Sequence, residues 1–259
     1  MPFDLDNFAL GDMLRCGTGL RQAAQGKATM EDAAGAIVRY FRDECRDPAT
    51  GEQSCPLVRL YKTHPYETLD PPLKAFAARL LGDTPPRPGM KCLTLLATAG
   101  AETEWNSRRA SRRHRAIPLP SAQVVEQAPM IAQLIKQLGL DIAHVVDPAP
   151  ELVRELEGRT YNVFHVEDAA GSAYIPAQDD FVVPYGIRSV LGFGGLLRSG
   201  ELFAVILFSR AHIDRESAGR FRNIALDVKS VLFRYGDDQV FAARAGAAAK
   251  DAQPLPRDS

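Results

Sequence analysis

Residues 186–197, the tripeptide Arg198-Ser199-Gly200 and a second apolar run over 202–208 narrow what this chain can fold into more than any other stretch. Two strand-length segments joined by a short polar, glycine-containing turn read as a β-hairpin. A helix follows. Between 216 and 235, Phe221, Ile224, Ala225, Val228, Leu232 and Tyr235 recur at three- and four-residue steps, while Arg220, Arg222, Asp227 and Lys229 fall elsewhere on the wheel.

Upstream, helices and strands are interleaved. Helical patterns run over 8–24, weakened by Gly17 and Gly19, and from Thr29-Met30-Glu31-Asp32, a capping-box-like start, through Phe41. A strand over 57–63 and a helix capped by Asp70-Pro71-Pro72 precede the prolines 85, 86 and 88, and strands follow over 92–98 and 115–119. A helical region over 121–138 is kinked or restarted at Pro129. Residues 139–160 read as an insertion with a helix at 151–157, 161–166 as a half-buried strand, and 176–185 as a loop with a short helix. The domain expectation is therefore a leading helix in 1–29, a domain over 30–236, and a disordered tail over 237–259. Strands paired in a hairpin and otherwise separated by helices imply an α+β fold, a central antiparallel sheet with helices on both faces.

Bulk properties exclude several classes. The 259 residues are 46% hydrophobic and can bury a full core, and the net charge of −1 gives no global field to recruit nucleic acid or membrane. The apolar runs are strand-length and the first residues lack a secretory pattern, so a cytoplasmic protein is expected. Cys16, Cys45, Cys55 and Cys92 show no C-x-x-C spacing and sit beside apolar neighbours, which favours reduced, buried thiols. His114, His144, His165 and His212 lack metal-ligand spacing, so no metal site is expected.

The closing third resembles the end of a GAF domain, a small-molecule sensor module. Gly186-Ile187-Arg188-Ser189 followed by Leu191, then Gly200-Glu201-Leu202 with Val205, Phe208 and Ser209, and the final amphipathic helix, match that family's pattern in order. The resemblance implies a GAF-like sheet and a pocket between one sheet face and the middle third of the chain. In that region the candidate ligand-binding residues are Trp105, Asn106, His114, Arg115, Asn162, His165, Tyr174, Phe181 and Arg188. Aromatic side chains interspersed with Asn, His and Arg supply the apolar lining and few polar groups that a small-molecule site needs. Four also have a structural alternative: Trp105 as a core plug, Asn162 and Arg188 satisfying loop backbone, His165 as a hydrogen-bonded strand histidine. No catalytic residue is assigned.

The densest charge cluster, Arg108-Arg109-Ala110-Ser111-Arg112-Arg113-His114-Arg115, can hold an anionic ligand, or it is an exposed loop neutralised by Glu102 and Glu104. Without a nucleic-acid-reading pattern around it, nucleic acid is not the expected partner. The family's cyclic-nucleotide signature is only loosely echoed by Asn162-Val163-Phe164 and Glu167-Asp168. Covalent bilin attachment is disfavoured because no cysteine follows Cys92. The ligand is unidentified, with heme held by one histidine or cysteine left open.

The leading functional expectation is a cytoplasmic GAF-like sensor that binds a small molecule and signals through its terminal helices, as a homodimer and with a signalling partner protein. Two alternatives belong to other classes: a GAF-fold redox enzyme resembling methionine sulfoxide reductases, and a ligand-free interaction scaffold whose core is filled by side chains.

Overall fold

Strand-length, largely apolar segments, the four longest buried on both faces, form β1 Leu57–Pro65, β2 Lys91–Gly100, β3 Ala116–Leu119, β4 Phe164–Val166, β5 Ser189–Leu196 and β6 Leu202–Ser209. In the computed structural model, which describes residues 2–148 and 161–242, they form one sheet in the order β3-β2-β1-β6-β5-β4. Every pairing is antiparallel. The expected hairpin is β5–β6, in continuous register from Ser189 opposite Ser209 to Leu196 opposite Leu202. Its glycines allow close approach rather than a bulge: a Cβ on Gly194 would lie 2.0 Å from the Phe203 carbonyl oxygen.

The helices are α1 Leu10–Ala23, α2 Met30–Glu44, α3 Pro71–Leu81, α4 Ala122–Glu126, α5 Pro129–Gln137, α6 Ile142–Val146 and α7 Arg215–Leu232. Local signals start several of them. Thr29 Oγ1 accepts the Asp32 N–H at 3.1 Å, Asp70 accepts that of Leu73 at 2.9 Å, and Asp214 accepts that of Ser217 at 2.7 Å. Pro129 opens α5, where its missing N–H costs no bond, so the helical region is two helices with a restart.

One face of the sheet is covered by α1, α2 and α7, with Phe41, Phe193 and Phe221 in mutual edge and tilted contact at centroid distances of 5.2–6.4 Å. Near its β3 edge, α3 seals Cys92 and Ala116 with Leu73 and Ala77. On the opposite face, α4, α5 and α6 pack with the connecting loops over Leu93, Leu95, Phe164 and Ile206. The fold is thus α+β, an antiparallel sheet with helices on both faces. α6, within the expected insertion, contributes Ile142, Val145 and Val146 to that second core.

Two expectations change. The apolar stripe of α7 is not a surface for pairing: Val228 and Leu232 are fully buried against the sheet and α1, because that stripe supplies the monomer's own core. Exposed large apolar side chains on the helices are Leu10 and Leu14 of α1, Leu80 of α3, Val124 of α4 and, on the outward face of α7, Leu226. The tail does not begin at 237. Asp237–Gln239 forms a 3-10 turn, Val240 is buried, its carbonyl accepts the Glu31 N–H at 2.9 Å, and Phe241 lies on the His64 ring at 5.0 Å. The helix expected at 151–157 and the remainder of the tail, 243–259, lie outside the described residues. Among the described residues no helix is long and apolar enough to cross a membrane.

Candidate functional site

The alternation of β1 aims Leu57, Arg59 and Tyr61 at the face opposite α2, while Val58 and Leu60 enter the core beneath α1, α2 and α7. Over Leu57, Arg59 and Tyr61 lies a cavity of about 600 Å3, within the range of small-molecule sites. Its apolar floor comes from Leu57, Leu93, Ile206 and Phe208, and the first turns of α5 roof it with Met130, Ile131 and Leu134. The scaffold alternative required this space between the sheet and the 121–138 helices to be filled by side chains. It is open.

One wall is aromatic. Trp105, on the 3-10 turn Thr103–Asn106, meets Phe181 edge-on at 5.6 Å and Tyr185 at 4.7 Å, and Phe181 meets Phe208 edge-on at 5.0 Å. Phe181 and Tyr185 are placed by a single π turn, Gln178–Val182, and the residues after it. Gln178 holds that segment in shape by donating to the carbonyls of Ala169 at 3.0 Å and Ile175 at 2.7 Å. The Tyr185 hydroxyl donates to Glu102 at 3.0 Å and so ties the two aromatic loops together.

The polar groups converge at one end. Arg59 is only 8% exposed; its Nη1 donates to the Tyr61 hydroxyl at 3.1 Å and stands 3.5 Å from His114 Nδ1. Among the described residues its Nε has no partner, and neither has the buried hydroxyl of Thr98, its neighbour across β1 and β2. His114 sits at a left-handed φ of 61° on a solvent-accessible loop yet turns its ring to the cavity. Burial of that ring, and then the charges of Arg59 and Arg113, bring its pKa down to about 4, so the imidazole is neutral at pH 7. At the rim, Arg112 pairs with Glu104 at 2.9 Å and Arg113 with Asp180 at 3.5 Å.

The basic cluster is therefore divided between two jobs. Ser111, Arg112, Arg113 and His114 line the cavity. Arg108 instead turns to the opposite side, where it is buried against Glu31 at 2.8 Å and lies 4.8 Å from the Phe241 ring centroid.

Of the nine candidates read from the sequence, Trp105, His114 and Phe181 meet at the cavity. The other six are placed elsewhere. Asn106 braces its own loop through the Gly100 N–H and the carbonyls of Gly100 and Glu102. Arg115 points among Arg108, Asp70 and Arg79. Asn162, Tyr174 and Arg188 are exposed away from the lining. His165 Nε2 engages the Ile213 carbonyl at 2.7 Å, pinning β4 to the connection entering α7. Arg59 and Tyr61 were missed, although a charged residue between apolar neighbours at alternating positions of a buried strand is a signal for both.

The four cysteines are buried, free and absent from the cavity lining. Burial pushes the thiols of Cys16 and Cys92 up to about 12, and hydrogen bonding to Cys55 together with burial raises that of Cys45. Among the described residues no group of three or more His, Cys, Asp and Glu side chains is arranged to hold a metal ion.

No family model matches the chain, and no curated protein does. Among solved structures, the crystal structure of the GAF domain from Acinetobacter phosphoenolpyruvate-protein phosphotransferase is similar at a TM-score of 0.43 and 13% identity, covering 85% of this chain and 92% of that one. Likeness at this level transfers neither residues nor function. What the fold and the cavity define by themselves is an α+β domain holding a small-molecule-sized chamber between its sheet and a layer of short helices and loops.

Proposed function

We propose that this chain is a GAF-like sensory domain that binds a small molecule between the sheet and α5 and has no catalytic role. The observation that supports this reading is the cavity itself: about 600 Å3, mostly apolar, with an aromatic wall and one converging polar end. The sequence resemblance of the hairpin and terminal helix points the same way. A signal would leave through the loop that lines the cavity, since the segment bearing Arg112, Arg113 and His114 also carries Arg108, the partner of Glu31 in α2. Pairing of two copies would use the outward face of α1, where Leu10 and Leu14 are exposed, and a signalling partner would read the same helical layer.

Trp105 is the chain's single tryptophan and lines the cavity, so its fluorescence reports occupancy directly. Titration of the purified protein with a library of small metabolites should give saturable changes in Trp105 emission, matched by a rise in melting temperature. Replacing Leu134, above the floor, with Phe should crowd the chamber and weaken both responses; unchanged responses in that variant would place binding elsewhere.

A further inference from the structure

We propose that the cavity takes a monocarboxylate carried on a compact apolar or aromatic body, with Arg59 as the carboxylate anchor; this rests on the cavity being a ligand site, as argued above. The fold supplies a carboxylate to two of the other buried cations, and the third, Lys91, donates to the Gly200 carbonyl at 3.2 Å in the field of Glu201. Arg108 faces Glu31 and Lys62 faces Glu201. Arg59, buried to a similar degree, has no carboxylate partner among the described residues, and the two acids that line the chamber, Glu104 and Asp180, are held by Arg112 and Arg113 at the rim. The Nε of that guanidinium is buried without an acceptor among the described residues, and an anion brought to the group offsets the cost of the unmade bond.

The donors around Arg59 set the kind of anion. Its Nη1 is engaged by the Tyr61 oxygen, and its Nη2 has no acceptor among the described residues. Because the Tyr61 oxygen accepts from Arg59, its own O–H is free to donate. His114 presents Nδ1 to the Arg59 cation, which suits the neutral tautomer with its proton on Nε2. One positive charge flanked by neutral donors matches one negative charge spread over two oxygens. A dianion such as a phosphomonoester would bring a second charge to a place with no second unpaired cation. The rest of the chamber selects the body: Trp105, Phe181, Tyr185 and Phe208 are packed on one another as a continuous aromatic wall, against which a flat or short-chain apolar group can lie.

The test compares matched acids and amides by Trp105 fluorescence and calorimetry: 3-phenylpropionate against 3-phenylpropionamide, hexanoate against hexanamide, and phenylphosphonate as the dianion. At least one acid should bind about tenfold or more tightly than its amide, and phenylphosphonate should bind more weakly than the best acid. In Arg59→Gln the advantage of the acid should vanish with amide affinity little changed, and Arg59→Lys should restore part of it. The acid–amide comparison in the unaltered protein needs no variant to fold. Amides equal to acids, a preference for the phosphonate, or an acid preference surviving in Arg59→Gln would each overturn the carboxylate assignment while leaving the chamber a ligand site. Absence of any response across all five probes at millimolar concentration would overturn both.

Discussion

Arg108 donates from Nη2 to the Glu31 carboxylate at 2.8 Å, with Nε 2.8 Å from the other oxygen, and this ion pair joins the loop walling the cavity to the first turn of α2. Glu31 is also the acceptor for the Ala242 N–H at 3.0 Å, so three distant stretches of chain meet on a single carboxylate. Glu31→Gln leaves Arg108 buried with only a longer contact to Asp70, 3.9 Å from its Nη1. The expected cost is about 2 kcal/mol or more, discounted from the roughly 3–5 kcal/mol of a fully buried pair because Glu31 is partly exposed. Urea denaturation measures it, and an unchanged midpoint would mean the pair contributes nothing net.

Truncation tests the strap formed by 237–242. Removing everything from Val240 onward takes away a buried valine, the Phe241 ring stacked on His64 and Arg108, and the acceptor for the Glu31 N–H. The loss should be about 1.5–3 kcal/mol, visible as a lower melting temperature. A chain ending before Val240 that melts like the parent would show the strap to be a passive appendage.

Stability should fall in acid with an imidazole signature. Burial, followed by the charges of Lys62, Arg108 and Lys91, holds the His64 pKa well below its ordinary 6.5, and Phe241 covers its ring. His114 is depressed to about 4 in the same direction. Both groups are neutral when folded and bind protons when unfolded as pH drops through 6.5. Their contribution is therefore present above pH 6.5 and is progressively lost below it. A series of denaturation curves from pH 7.5 to 5 should show the decline, with a shallower slope in His64→Gln. A flat profile, or the same slope in that variant, would contradict the assignment.

The two helical faces should respond oppositely to charge. Val228→Glu inserts a carboxylate into the core between α7 and the sheet and should cost about 3 kcal/mol or more. Leu14→Glu alters only an exposed position on α1 and should leave the melting temperature within a degree or two while lowering the sedimentation coefficient of any dimer. Dimers that persist in Leu14→Glu would remove α1 from the interface.

Thiol chemistry provides an independent check on the non-catalytic reading. With every cysteine buried and the pKa of Cys16 and Cys92 near 12, native protein should react slowly with Ellman's reagent, releasing all 4 equivalents only after denaturation. A fast-reacting thiol would instead favour the redox alternative.

What could be read from the chain was mostly local. Thr29, Asp70 and Pro129 mark helix starts because the groups they serve lie within three residues, and the β5–β6 hairpin declares itself because its partners are adjacent in sequence. The candidate site was legible where aromatic bulk was the signal, as for Trp105 and Phe181. It was obscure where long-range pairing decided the outcome. His165 is consumed by the Ile213 carbonyl, 48 residues away, and Arg108 by Glu31, 77 residues away, contacts that no spacing rule announces. Arg59 was hidden differently: its neighbours mark a buried strand, but only the sheet order shows which face opens on a chamber.

The sheet ends on β3 and β4, strands of four and three residues, and the first carries Pro118, which has no N–H to offer. Such borders give an incoming strand little to zip onto, which discourages both runaway fibril-like stacking and partner recognition by strand addition. A protein that binds this domain would therefore find its hold on the helices, in preference to a sheet rim that has almost no vocabulary for contact.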